Sequence, residues 1–141
     1  MENLIDYSKL SVGQTLCKKS IEISPSLVKN YMESTQDSSK MISDLDGNKY
    51  IPPMAIAAFG LQIVIDFLKI PHGTLHVGQE LTIESPLKIG ELVNYEASIT
   101  TNSIRKNWRF VTIEIISKST NKNIVMTTKS TITMPVITPN S

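Results

Sequence analysis

The chain of 141 residues contains a single cysteine, Cys17. A disulfide framework needs paired cysteines, so the disulfide-rich class of small extracellular domains is excluded and a cytoplasmic location is expected. Neither sign of charge predominates, because 14 basic and 13 acidic residues give a net charge of only +1. No basic stripe with interleaved aromatic residues is present, so nucleic acid is not expected as a partner.

Long apolar runs are limited to one, and the first residues of the chain lack the basic and apolar segments of a signal peptide. The run lies at 52–71 and is apolar from Met54 to Ile65 except for Gly60 and Gln62. A bilayer-spanning helix needs about 20 apolar residues, and the apolar part from Met54 to Ile65 is much shorter than that, so no membrane partner is expected. A surface helix would keep one polar face, so this run predicts a buried core helix that starts at Pro52–Pro53.

Shorter segments around this helix show other periods. Residues 10–23 are predicted to be extended, and Ser24 is predicted to cap a short helix that continues to Met32. After the long helix, apolar and polar residues alternate at 81–84, 93–99 and 111–115, and the stretch 124–134 is rich in Thr, Val and Ile. This period of two predicts four strands that are covered on one face. Residues 120–123 are predicted to form the hairpin connection between the last two strands.

The predicted order is therefore a strand, a small helix, one long apolar helix and then an antiparallel meander. Strands gathered after a helix favour the α+β class over alternating βαβ units. An antiparallel sheet wrapped around one long apolar helix is the hot-dog fold, although other α+β folds also fit this order. The length predicts a single domain over residues 1–141, with a core at about 10–134 and a frayed tail at 135–141.

One stretch carries a family resemblance. Residues 75–90, LHVGQELTIESPLKIG, contain His76, Gln79, Pro86, Leu87 and Gly90. They resemble the L-H-x-x-Q…P-L…G pattern of the MaoC-like acyl dehydratase family, and above all the half-domain that opens two-domain (R)-specific enoyl-CoA hydratases. The resemblance covers about residues 10–134. It implies a hot-dog dimer that acts on enoyl or 3-hydroxyacyl thioesters of coenzyme A or acyl carrier protein, with no cofactor and no metal.

The sequence departs from the catalytic members of that family at two places. Their Asp and His, in the pattern D-x-x-x-x-H, hold the water that adds to the double bond. Asp37 lies where this Asp would fall, but Ile42 stands in place of the His. Their His-Gly pair before the long helix is replaced by Pro52–Pro53, which has no N–H to offer a thioester oxygen. The resemblance thus implies a non-catalytic acyl-binding subunit, in a homodimer or beside a catalytic hot-dog subunit.

Several residues are candidates for a site, each with a structural alternative. Asp37 and His76 are the candidate catalytic residues, and they are alternatively a solvated loop acid and a hydrogen-bonded residue at the mouth of the sheet. Gln79 is predicted to be a buried amide. The candidates for substrate binding, which are otherwise core or partner-contact residues, are Met54, Phe59, Gly60, Ile63 and Trp108.

Two other functions remain open at this point. A hot-dog acyl-CoA thioesterase would need a carboxylate such as Asp66 or Asp37 facing the thioester. A non-enzymatic acyl-CoA-binding dimer would need no such group. Asp44 and Asp46 lack the later acids of a calcium loop, so no metal site is expected.

Overall fold

The computed structural model describes residues 6–34, 49–71 and 73–136. These residues form a 3-10 turn, two α-helices and five β-strands. The elements are the turn Tyr7–Lys9, β1 Thr15–Glu22, α1 Pro25–Ser34, α2 Pro53–Leu68, β2 Leu75–Ile83, β3 Leu92–Arg105, β4 Trp108–Lys118 and β5 Ile124–Pro135. The expected frayed tail lies outside the described residues from position 137 onward, whereas its first residue, Pro135, belongs to β5.

Both helices begin where the sequence predicts. The Oγ of Ser24 accepts a hydrogen bond from the N–H of Leu27 at 3.2 Å, which caps α1. α2 begins at Pro53 directly after Pro52. It ends at Lys69, which adopts a left-handed conformation with φ 48°. Within the described parts of the chain, no helix is long and apolar enough to cross a membrane.

The five strands form one antiparallel sheet in the order β1-β3-β4-β5-β2. β3, β4 and β5 form a meander, as predicted. β2 pairs with β5 and not with β3, so the predicted meander of all four strands after α2 is wrong. Alternation identifies a strand and its covered face but does not name its neighbours. As a result, β1 and β2 are the two edges of the sheet.

α2 packs on one face of this sheet. Alternate residues of the central strands point toward it and are buried, among them Val93, Ala97, Ile99, Val111, Ile113, Ile115, Met126 and Ile132. The buried residues of α2 are Ala55, Ile56, Ala57, Gly60, Val64 and Leu68. The helix is not covered all round, because the side chains of Met54 and Phe67 are 55% and 43% exposed. Within the described residues, the predicted core helix is therefore confirmed where it faces the sheet and where Phe59 packs against α1, but not at Met54 and Phe67.

Gly60 of α2 lies directly against the ring of Tyr95 in β3. A Cβ atom at Gly60 would lie 2.8 Å from Cε1 of the Tyr95 ring and 3.3 Å from Cγ2 of Ile115. The Tyr95 hydroxyl donates a hydrogen bond to the carbonyl of Ile56 at 2.9 Å. Burial raises the pKa of the Tyr95 phenol well above its usual range. The ring of Tyr95 thus explains the glycine in the middle of α2.

Two hairpins connect the meander. Lys106 and Asn107 join β3 to β4 with φ of 49° and 69°, the positive values of a two-residue type I′ turn. The predicted β4–β5 hairpin is confirmed, because the Ser119 N–H donates to the Asn123 carbonyl at 3.0 Å. Residues 103–108 are all exposed. The end of the β3–β4 hairpin therefore projects beyond the part of the sheet that α2 covers.

Candidate functional site

An apolar cavity of about 470 Å³ lies at the N-terminal end of α2. It is built from the start of α2, the end of β2 with the loop that follows, and the start of β5. The lining residues are Tyr50, Ile51, Pro53, Ile56, Ile83, Glu84, Ser85, Pro86, Leu87 and Met126. This volume lies within the range of about 300–1,000 Å³ that is typical of small-molecule sites.

Two backbone hydrogen bonds fix the walls of this cavity. The Ile51 N–H donates to the Leu87 carbonyl at 2.8 Å, and the Ile89 N–H donates to the Lys49 carbonyl at 3.0 Å. They hold the segment that enters α2 against the loop after β2. The side chain of Leu87 is only 1% exposed. Pro86 and Leu87, the Pro-Leu pair of the sequence motif, both line the cavity.

The first turn of α2 offers few free donors beside the cavity. Pro52 and Pro53 have no N–H. The N–H of Ala55 already donates to the Pro52 carbonyl at 2.9 Å. The Met54 N–H, in the first turn, has no intrahelical acceptor and finds none among the described residues. This N–H, at the positive end of the helix dipole, is the one first-turn donor in the described chain that remains for a carbonyl oxygen.

The polar side chains among the lining residues are those of Tyr50, Glu84 and Ser85. Glu84 is exposed, and the Oγ of Ser85 donates to the Ile124 carbonyl at 3.1 Å. The described lining residues include no imidazole and no thiol. The arrangement can hold an apolar chain. The described lining residues supply a carboxylate but no imidazole to pair with it in a hydration reaction.

Of the two candidate catalytic residues, only His76 lies in the part of the chain that the structure describes. Asp37 lies outside the described residues, as does Ile42. His76 is exposed on β2, opposite Ile132 of β5. Seven residues of extended chain separate His76 from Ile83 at the cavity, which is roughly 23 Å at 3.3 Å per residue. The described residues therefore contain no candidate imidazole close to the cavity.

The candidate binding residues on α2 are spread around the helix. Met54 follows the cavity-lining Pro53 and is exposed. Phe59 packs edge-to-face against Tyr31 of α1, with ring centroids 5.8 Å apart. Gly60 faces Tyr95, and Ile63 is half-buried against the core. Met54 alone of this group adjoins the cavity in sequence, and none of the four lines it.

Trp108 lies at the other end of the sheet. It pairs with Pro135 at the end of β5, whereas Met126, near the start of β5, lines the cavity. Nine residues of strand separate these two positions, which is roughly 30 Å. Trp108 lies on the face of β4 opposite buried Val111 and is 38% exposed, so its predicted outward position is confirmed, but it is not part of the cavity.

Two other sequence-based expectations need revision. Gln79 is exposed on the edge strand β2, so its predicted burial is wrong for the single chain. Asp66 is exposed and accepts a hydrogen bond from the Gln62 side chain at 2.9 Å, away from the cavity. Sequence reasoning also missed Ile56, Ile83 and Met126 as lining residues. In sequence these three residues look like ordinary core residues. Their role as cavity walls becomes visible only because the fold brings them together.

Comparison with known proteins places this fold. No protein-family model and no curated protein sequence matches the chain. Among solved structures, the unliganded R-hydratase from Pseudomonas aeruginosa aligns with a TM-score of 0.76 at 19% identity, covering 93% of this chain and 86% of the other. The (R)-hydratase from A. caviae, involved in PHA biosynthesis, gives a TM-score of 0.73 at 17% identity, covering 90% and 98%. The truncated HadBC (3R-hydroxyacyl-ACP dehydratase) complex from Mycobacterium tuberculosis gives 0.67 at 11%, covering 82% and 90%.

The three alignments cover at least 82% of each chain. At sequence identities of 19% or less they show that the fold is shared and no more. The chain has an α+β hot-dog fold, as predicted. Solved structures that resemble it include MaoC-like (R)-hydratases and dehydratases, the group indicated by the motif at 75–90.

Proposed function

We propose that this chain is an acyl-thioester-binding component of a MaoC-like hydratase or dehydratase, and that it holds the acyl tail without catalysing hydration by itself. The observation that carries this proposal is the apolar cavity of about 470 Å³ at the N-terminus of α2. Its walls suit a hydrocarbon tail, because each buried CH₂ group contributes about 0.8 kcal/mol. The Met54 N–H lies in the first turn of the helix whose start lines the cavity, and it is the proposed donor to the thioester oxygen.

The absence of catalysis by the chain alone follows from the residues at the sites where the family's chemistry would occur. Ile42 cannot accept a proton, and the described lining residues provide no imidazole in its place. The prolines at the start of α2 also remove donors from the oxygen-binding position. A subunit of this kind would shape the tail-binding site while a second subunit supplies the catalytic dyad.

We further propose that β2 pairs with a second hot-dog subunit, either another copy or a catalytic partner. The two edges of the sheet differ. β1 presents Lys18 and Lys19, and lysine on an edge discourages strand pairing. β2 presents Leu75, Val77 and Ile83, whose side chains are 55%, 50% and 52% exposed. A nine-residue edge strand that exposes these apolar side chains, with no cover from the described residues, favours a partner. The HadBC complex, with two different subunits in one dehydratase, is a precedent of the same fold.

Binding of an acyl-CoA tests the tail site. Isothermal titration with octanoyl-CoA should give saturable binding, and free CoA should bind far more weakly. Ile83→Trp, which puts a larger ring at the cavity wall, should weaken octanoyl-CoA binding at least tenfold. Ile104→Trp is the matched control, because Ile104 is a strand isoleucine with the same 52% exposure at the other end of the sheet. Equal affinity in both variants would show that the tail binds elsewhere.

A thioesterase is the second candidate, favoured by the Glu84 carboxylate among the cavity-lining residues. In that case water would attack the thioester carbonyl with Glu84 as general base, giving a free acid and free CoA. Release of thiol from octanoyl-CoA that is abolished by Glu84→Gln would establish this activity. Binding without thiol release would support the acyl-binding role.

A further inference from the structure

The exposed end of the β3–β4 hairpin carries two large apolar side chains. Ile104 is 52% exposed and Trp108 is 38% exposed. Ile104 pairs with Arg109, and Trp108 pairs with Arg105. Cross-strand partners share a face, and successive residues alternate faces. Each face of the hairpin end therefore presents one apolar side chain next to one arginine.

Positive charge is concentrated at the same end of the domain. Asn102 of β3 donates hydrogen bonds to the carbonyls of Tyr7 and Leu10 at 2.8 Å. The Tyr7 hydroxyl donates to the carbonyl of Leu68, at the end of α2, at 3.0 Å. These bonds bring together the 3-10 turn, the hairpin and the C-terminus of α2. Among the described residues, the charged ones there are the cations Lys9, Lys69, Arg105, Lys106 and Arg109, and the carboxylates Asp6 and Asp66. Five cations against two carboxylates leave an excess of three, although the whole chain has a net charge of only +1.

The hairpin end is held in shape. Nη1 of Arg109 donates to Oδ1 of Asn102 at 2.8 Å, and the guanidinium of Arg105 lies 5.9 Å from the centre of the Phe110 ring. The type I′ turn at Lys106 matches the twist of the two strands. A partner would therefore meet a preformed projecting end and not a groove.

We propose that this hairpin end is a peripheral anchor for anionic lipid bilayers. Trp108 and Ile104 would enter the headgroup region, where tryptophan is favoured, and the surrounding cations would contact lipid phosphates. The sequence-based expectation was of no membrane partner, on the ground that the apolar run is too short to span a bilayer, and this proposal departs from that expectation. The inference is independent of the acyl-binding proposal.

Two other anionic partners fit the structure less well. An acidic carrier protein delivering a thioester would have to dock near the cavity, which lies at the opposite end of the domain, roughly 30 Å along β5. Single-stranded nucleic acid is bound by a groove lined with several aromatic residues. Here the aromatic side chains of the hairpin end are Trp108 and the half-buried Phe110, and its other exposed apolar side chain is the aliphatic Ile104.

Trp108 is the only tryptophan of the chain, so its fluorescence reports on this site without any substitution. With vesicles of phosphatidylcholine mixed with phosphatidylglycerol, its emission should shift to the blue and the protein should co-sediment. With phosphatidylcholine alone neither should occur, and high salt should weaken the binding. An unshifted emission, with or without co-sedimentation, would overturn the proposal.

Substitutions then separate this surface from general charge. Arg105→Gln with Lys106→Gln should lower vesicle affinity about 25-fold, or about fivefold for each cation. The matched control is Lys29→Gln with Lys49→Gln, which removes two exposed lysines near the opposite end of the domain and should retain most of the affinity. Equal losses in the two double variants would contradict a localised anchor. So would tighter binding of polyuridylic acid, or of an acidic acyl carrier protein, than of vesicles, as measured by Trp108 emission.

Discussion

The contact between Gly60 and Tyr95 predicts the effect of one methyl group. Gly60→Ala places a Cβ atom 2.8 Å from Cε1 and 2.9 Å from Cδ1 of the Tyr95 ring. Cβ atoms essentially never approach so closely, so the ring or the helix must move. Tyr95 is 3% exposed and its hydroxyl is bound to the Ile56 carbonyl. The ring therefore cannot swing into solvent without breaking buried contacts.

The magnitude follows from three terms. Alanine is favoured over glycine inside a helix by about 1 kcal/mol. Overpacking in a well-packed core costs about 1–3 kcal/mol, and losing the Tyr95 hydrogen bond costs about 1 kcal/mol more. We therefore expect Gly60→Ala to lower the free energy of unfolding by about 1–3 kcal/mol.

Urea unfolding followed by circular dichroism measures this change, and two variants make the assay specific. Ala58→Gly is the matched control, because Ala58 is half-exposed on the same helix and should lose only the propensity term, about 1 kcal/mol. In a Tyr95→Val background, Gly60→Ala should become neutral or stabilising. If Gly60→Ala stabilises the protein with Tyr95 present, the steric reasoning is wrong.

Three further predictions concern stability. Burial raises the pKa of Tyr95 in the folded state above its ordinary value of 10.0. The contribution of the neutral phenol to the free energy of unfolding is therefore complete below pH 10 and is lost as the pH rises above 10. Tyr95→Phe should flatten this alkaline decline in urea midpoints, and an unchanged slope would contradict the expectation. The Oγ of Ser130 is buried and has no hydrogen-bond partner in the described chain, so Ser130→Ala should be neutral or raise the free energy of unfolding by up to about 2 kcal/mol, and a clear loss in urea melts would reveal a missed partner. Ser24→Ala should cost about 1 kcal/mol by removing the cap of α1, whereas the exposed Ser26→Ala should cost much less.

Local chemistry was sufficient to predict most elements of this fold. The Pro52–Pro53 start of α2, the Ser24 cap and the covered faces of β3 and β4 depend on neighbours in the sequence, and all are confirmed. The position of β2 beside β5 depends on where α2 returns the chain to the sheet. No periodicity within β2 encodes that choice, so the meander prediction failed there.

The candidate site was less predictable for a related reason. Pro86 and Leu87 drew attention through a motif and do line the cavity. Ile56, Ile83 and Met126 resemble ordinary core residues in sequence, and only their convergence in space marks them. Gly60 in the middle of a helix suggested close approach of another backbone or of a ligand tail, but the ring of Tyr95 in β3 occupies that space. Small residues report a close neighbour without identifying it.

Hydration of crotonyl-CoA by the purified chain distinguishes an acyl-binding subunit from a catalyst. We expect saturable binding of the thioester with no loss of its enoyl absorbance, and hydration only when a hot-dog subunit with an intact D-x-x-x-x-H pair is added. Robust turnover by the chain alone, retained after repeated purification, would contradict this expectation and would show that the chain carries its own catalytic groups.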